Sequence, residues 1–192
     1  MSSTSPGSCA SGMTGTKLSR SVAQGLADYL NGVLNRTVSD SRLSVEPIAG
    51  YPDAFELTRI VNGDDVPLEL DGTVAHLYVR QVIVVADGSC RTESYSYRLQ
   101  AEESPKSWLI RWEYTREPSR ADYSYPRAHL HVNGSFSDGA PAGRLHIPTE
   151  RLSLELVVRH LITDWDVKPR SDDWEAILDE SAEGFGERRP GG

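Results

Sequence analysis

Three of the chain's five histidines stand in two short alternating segments, Arg127-Ala128-His129-Leu130-His131-Val132-Asn133 and Arg144-Leu145-His146-Ile147-Pro148. Successive side chains of an extended backbone point to opposite faces. Arg127, His129 and His131 therefore share one face, and Ala128, Leu130 and Val132 the other. If the segments pair antiparallel with 131 opposite 146, then 130 falls opposite 147 and both apolar rows coincide. Arg127, His129, His131, Arg144 and His146 then gather on the opposite face. A slip of one residue would mix the polar and apolar rows, so the matched parity favours this register.

Imidazoles beside guanidiniums suit acid–base chemistry on a phosphodiester. One histidine of His129, His131 and His146 removes a proton, another donates one to the leaving oxygen, and Arg127 and Arg144 hold the phosphate charge. That chemistry needs no metal and no other cofactor. A metal site is the alternative on the same residues, because i and i+2 on a strand project together and His146 supplies a third ligand. It lacks a nearby carboxylate in sequence: Ser135 and Phe136 stand where a glutamate would be expected, and the adjacent arginines repel a cation. The anion site is therefore the reading preferred here. The plain alternative is the solvent face of a half-buried hairpin, where polar residues alternate with core ones. His76 and His160 read as surface residues. No glycine-rich phosphate loop, Gly-x-Ser-x-Gly elbow or His-Glu-x-x-His helix is present.

The elements that must position this cluster are mostly strands. Strand signals run over residues 42–48, 55–61, 67–70, 74–85, 91–99 and 108–116, ahead of the histidine hairpin. Asn62-Gly63 and Asp87-Gly88 are good hairpin turns because both dipeptides tolerate positive φ. Ala75, Leu77, Val79, Ile83 and Val85 form one apolar row, and Trp108, Ile110, Trp112 and Tyr114 another. Arg111 and Glu113 alternate on the far side of that second row. Tyr123 and Tyr125 lead directly into the histidine segment, so aromatic rings flank it.

Helical periods frame the strands. Leu18, Val22, Leu26, Tyr29, Leu30 and Val33 mark an amphipathic helix from Thr16 to about Asn35. After Ile147, the residues Leu154, Val157, Val158, Leu161, Ile162 and Trp165 make a second stripe, with Thr149 or Ser153 able to cap it. A third helix starts near Ser171 with Trp174, Ile177 and Leu178 facing inward. The expected fold is α+β: one curved antiparallel sheet of about six to eight strands, with the N-terminal helix and two C-terminal helices on one face. Residues 1–15 read as a disordered tail, 16–180 as a single domain, and 181–192 as an acidic, flexible tail.

The chain has 192 residues, of which 20 are Lys or Arg and 28 Asp or Glu, giving a formal net charge of -8. That balance opposes broad nonspecific nucleic-acid binding while leaving room for a small basic site. Cys9 and Cys90 make neither a disulfide framework nor a zinc spacing, which fits a cytoplasmic protein. The longest apolar run, residues 82–86, is far shorter than the roughly 20 residues of a membrane span, and residues 1–15 lack the pattern of a signal peptide.

Three segments carry a family resemblance: Tyr125-Pro126-Arg127-Ala128-His129-Leu130-His131, His146-Ile147-Pro148-Thr149, and Leu154-Glu155-Leu156-Val157-Val158-Arg159-His160-Leu161-Ile162. Over roughly residues 95–165 the chain resembles small bacterial proteins in which a histidine-bearing strand leads into a terminal helix, among them TumE-like toxins of toxin–antitoxin pairs. The resemblance implies a compact α+β protein that acts on RNA or the translation apparatus and is restrained by a DNA-binding antitoxin partner. It identifies no catalytic residue. The expected function is thus a bacterial toxin-like or defence-associated protein that binds or cleaves RNA in the manner of a metal-independent endoribonuclease. The alternative is a noncatalytic module that binds a protein partner through its acidic helices or its sheet edge.

Overall fold

The computed structural model describes residues 11–117, 125–134 and 145–186. Helix α1 (Ser11–Thr37) precedes strands β1 (Ser44–Pro47), β2 (Ala54–Thr58), β3 (Ile60–Val61), β4 (Asp64–Asp65), β5 (Leu68–Glu69), β6 (His76–Ala86) and β7 (Ser89–Gln100). Strands β8 (Trp108–Thr115), β9 (Ala128–Val132) and β10 (Ile147–Pro148) follow, and the described chain ends with α2 (Leu154–Asp164) and α3 (Trp174–Gly186). The fold is α+β, as expected. Eight strands form one sheet in the order β1-β2-β6-β7-β8-β9-β10, with β5 also on β6, and every pairing is antiparallel.

The long β6–β7 hairpin is set by its turn. Asp87 and Gly88 have φ of 51° and 74°, the positive values that a tight two-residue turn requires. Asn62-Gly63 does the same on a smaller scale, with φ of 55° and 90°. It pulls residues 60–61 into a separate ribbon with 64–65, so the strand expected over 55–61 divides in two.

Alternation then sorts the sheet's two faces. Phe55, Leu57, Leu77, Val79, Ile83, Tyr97, Leu99, Ile110 and Trp112 point into the core, where Ala27, Leu30, Leu34, Val157, Val158 and Leu161 of the helices meet them. Three polar side chains on this face form a satisfied network: the Tyr97 hydroxyl donates to Gln81 Oε1 at 2.6 Å, and Gln81 Nε2 donates to Thr92 at 3.1 Å. Burial drives the Tyr97 phenol well above its ordinary pKa. Among the helices, Tyr29 and Glu155 both reach Ser181, tying α1 and α2 to α3. Ser153 caps α2, its hydroxyl accepting from the Leu156 amide at 3.3 Å.

Several boundaries differ from the sequence reading. Helix α1 begins at Ser11, inside the segment expected to be a disordered tail; residues 1–10 lie outside the described residues. Leu18 is 66% exposed, off the apolar stripe assigned to it. Helix α3 begins at Trp174 and runs to Gly186, into the segment expected to be flexible, while residues 187–192 lie outside the described residues. Trp108 does not join the core, because the β7–β8 register shifts between Leu99 and Gln100. The Arg111 guanidinium instead stands over its ring, 5.4 Å from the centroid.

Candidate metal centre

The face of the sheet turned away from the core carries the polar row of each strand. Strand β9 pairs with β8 so that Arg111 faces His131 and Glu113 faces His129. On its other side β9 pairs with β10, Leu130 facing Ile147 and His129 facing Pro148. His146, one residue before β10, therefore falls at the position opposite His131, in the register that the alternating segments predict. His129 and His131 are nearly enclosed, at 4% and 3% exposure, and His146 is half-buried.

The three imidazoles converge. Ring centroids lie 5.0 Å apart for His129 and His131, 4.5 Å for His131 and His146, and 4.9 Å for His129 and His146. One nitrogen of each ring lies within 4.8 Å of the corresponding atoms of the other two. Tyr125 closes the cluster by stacking on His146 with centroids 3.6 Å apart and ring planes 13° from parallel. Tyr123 lies outside the described residues.

Local backbone geometry fixes one ring. His129 Nδ1 stands 2.8 Å from the Pro126 carbonyl, an acceptor only, so Nδ1 carries the hydrogen and donates it. Nε2 of His129 then presents its lone pair to the cluster. A backbone carbonyl orienting an imidazole in this way is the usual outer support of a metal-ligating histidine.

The carboxylate missing from the histidine segment's own sequence comes from the neighbouring strand. Glu113 Oε2 is 3.2 Å from His131 Nε2, 3.6 Å from His129 Nε2 and 3.3 Å from Arg111 Nη2. The sequence reading set a metal site aside for lack of this group. Its alternation with Arg111, opposite Ile110, Trp112 and Tyr114, was the available signal; the β8–β9 pairing that brings it to the histidines was not legible.

Of the two arginines expected in the anion site, Arg127 falls among the described residues: it is exposed, and its carbonyl accepts from the Thr115 amide at 3.0 Å. Arg144 lies outside the described residues. The other two histidines stay apart from the cluster: His76 pairs across β6 with Gln100, and His160 forms an exposed ion pair with Asp164 at 2.8 Å. That pair, with a hydrogen bond from Thr163, lowers the Asp164 carboxyl's pKa.

Three imidazoles, with a carboxylate beside two of them, form a nitrogen donor set of the kind that suits zinc and similar divalent ions. Nitrogen separations below 5 Å are a span that small side-chain rotations close onto Zn–N bonds of about 2.0–2.1 Å. No family model matches the chain, and no curated protein or solved structure is similar to it.

Proposed function

We propose that this protein is a metal-dependent hydrolase whose centre is the histidine cluster on the face of the sheet turned away from the core. His129, His131 and His146 are the ligands, and Glu113 is the acid–base group beside them. One observation carries the proposal: a nitrogen from each of three imidazoles lies within 4.8 Å of the other two, with the Glu113 carboxylate beside His129 and His131, where a flat solvated face would splay them. Glu113 also argues against a plain anion site, since its charge sits between the imidazoles that an anion would have to approach.

A divalent ion held by His129, His131 and His146 would supply a water of lowered pKa and polarise the scissile group. Glu113, beside His129 and His131, would take a proton from the attacking water as the new bond forms and return it to the leaving oxygen as the old bond breaks, ending unprotonated. The Pro126 carbonyl keeps His129 in the ligating tautomer, and Tyr125 shields His146 from bulk water.

The resemblance to TumE-like toxins gives this reading a setting: a bacterial, cytoplasmic, toxin-like or defence-associated protein that cleaves RNA and is held in check by an antitoxin protein. Among the described residues no helix is long and apolar enough to cross a membrane. The test is metal stoichiometry together with hydrolysis. Protein stripped with a chelator should bind one zinc per chain, measured by competition with a chromogenic chelator, and His131→Ala should bind it at least a hundredfold more weakly. Cleavage of RNA should return with the metal and be absent from Glu113→Gln. RNA cleavage that persists in chelator would replace the metal centre with direct acid–base work by the imidazoles.

A further inference from the structure

The histidine centre is one end of a longer row. Residues facing one another across successive strands are Tyr78 on β6, Arg98 on β7, Arg111 on β8 and His131 on β9. At the strand spacing of about 4.8 Å, Arg111 stands one step and Arg98 two steps from the centre. Both arginines are held by aromatic rings. The Arg98 guanidinium lies 4.0 Å from the Tyr78 centroid and that of Arg111 5.4 Å from the Trp108 centroid. Stacking of this kind fixes the plane of the fork before any ligand arrives.

Among the described residues neither fork is fully used. Arg98 makes no ion pair among the described residues, and Nε of both Arg98 and Arg111 is enclosed without a hydrogen-bond partner. Arg80, on the next row, differs: its guanidinium is taken by Glu56. Arg111 meets Glu113, but through an oxygen that also touches His131, so a cation at the centre would draw that carboxylate away. With a divalent ion in place, the row carries net positive charge on a face of a protein whose overall charge is -8.

We propose that Arg111 and Arg98 form a phosphate track leading out of the metal centre, and that the substrate is a single-stranded polynucleotide lying across the strands. This rests on the reading of the centre as hydrolytic. The scissile phosphodiester sits at the histidines and the next phosphates along the strand meet Arg111 and then Arg98. Planar forks suit phosphate because they donate two parallel hydrogen bonds to it. A single strand can extend with its phosphates in a row, as the alignment of Arg98, Arg111 and His131 across the strands requires.

The experiment measures binding of fluorescently labelled 12-nucleotide single strands, as RNA and as DNA, to the zinc-loaded full chain by anisotropy over a range of salt. Glu113→Gln serves as background to prevent cleavage. Adding Arg98→Met or Arg111→Met should each weaken binding about tenfold or more and flatten the salt dependence by about one phosphate contact. Zinc affinity and the near-ultraviolet circular dichroism should stay the same. Tighter binding of RNA than of DNA would identify the substrate as RNA, and the reverse would identify it as DNA; either supports the track. Unchanged affinity and salt slope in Arg98→Met would overturn it. So would inorganic phosphate that competes as strongly as the 12-mer, since that marks a one-phosphate subsite. Arginine-dependent binding in a protein that takes up no zinc would sink the metal centre and leave the track standing.

Discussion

Zinc added to the chelator-stripped protein should raise its melting temperature, and His146→Ala should remove most of that rise. His146 sits at the edge of the sheet, next to a two-residue strand, so a shared ion would fasten β10 to β9. At free zinc about 100 times the dissociation constant, binding to the native state alone adds about 2.7 kcal/mol. For a chain of this length, each kcal/mol moves the midpoint by roughly 2–4 °C, so the expected rise is about 5–11 °C. If loss of one of three ligands weakens binding about 100-fold, the same zinc concentration stands near the dissociation constant. The increment then drops to about 0.4 kcal/mol, or roughly 1 °C.

The variant also loses the stack of Tyr125 on His146. That pair contributes about 0.5–1.5 kcal/mol, so the metal-free variant should melt about 1–6 °C below the metal-free parent. Differential scanning calorimetry of both proteins, with and without zinc, separates the two effects. His160→Ala is the control, because His160 and Asp164 form an exposed i,i+4 pair that could itself hold zinc weakly. It should keep the full increment. An increment that survives in His146→Ala and vanishes in His160→Ala would refute the reasoning, as would a parent protein whose midpoint zinc does not move.

Glu113→Gln keeps the shape of the strand but removes the charge beside His129 and His131; zinc affinity by chelator competition should fall about 10–100-fold. Tyr97→Phe leaves Gln81 Oε1 enclosed without its donor, which should cost about 1–3 kcal/mol in urea unfolding with no change in zinc binding. Tyr78 titrates at about 12, raised by burial and by its hydrogen bond to Asp65. A phenol raised in the folded state contributes stability below its unfolded pKa of about 10, and that contribution is lost as pH rises from about 10 towards 12. Phenolate absorbance of Tyr78 should therefore appear only as pH approaches 12, and Tyr78→Phe should flatten the alkaline fall in stability.

The fold was legible where the signal is local. Asp87-Gly88 and Asn62-Gly63 both adopt the positive φ that their residue types allow, and the apolar rows on β6 and β8 face the core from Leu77 and Ile110 onward. The failures are places where one element's neighbours decide. Trp108 continues the apolar alternation of β8 in sequence, yet a register shift against β7 takes it out of the core. Leu18 fits the helical period but stands 66% exposed. Periodicity states which side chains share a face; it does not state what lies opposite that face.

The candidate site divides along the same line, and the division decides its chemistry. His129, His131 and His146 come together because parity within two segments fixes their side and their register. Glu113 joins them through a pairing between strands separated by a 12-residue connection, which no spacing rule reports. Without Glu113, three imidazoles near arginines read as an anion site. With its oxygen 3.2 Å from His131 and 3.6 Å from His129, a carboxylate stands beside the same imidazoles, which supports the proposed metal centre. The arginines accordingly change role. Arg127 and Arg144 flank the histidines in sequence; across the sheet, Arg111 and Arg98 align with His131, held on aromatic rings one and two strands away. A charge that repels a cation at contact distance can hold the next phosphate of a substrate when displaced by a strand or two. On the proposed reading, the sheet's strand spacing would let one face carry both the metal centre and a cationic track for phosphates.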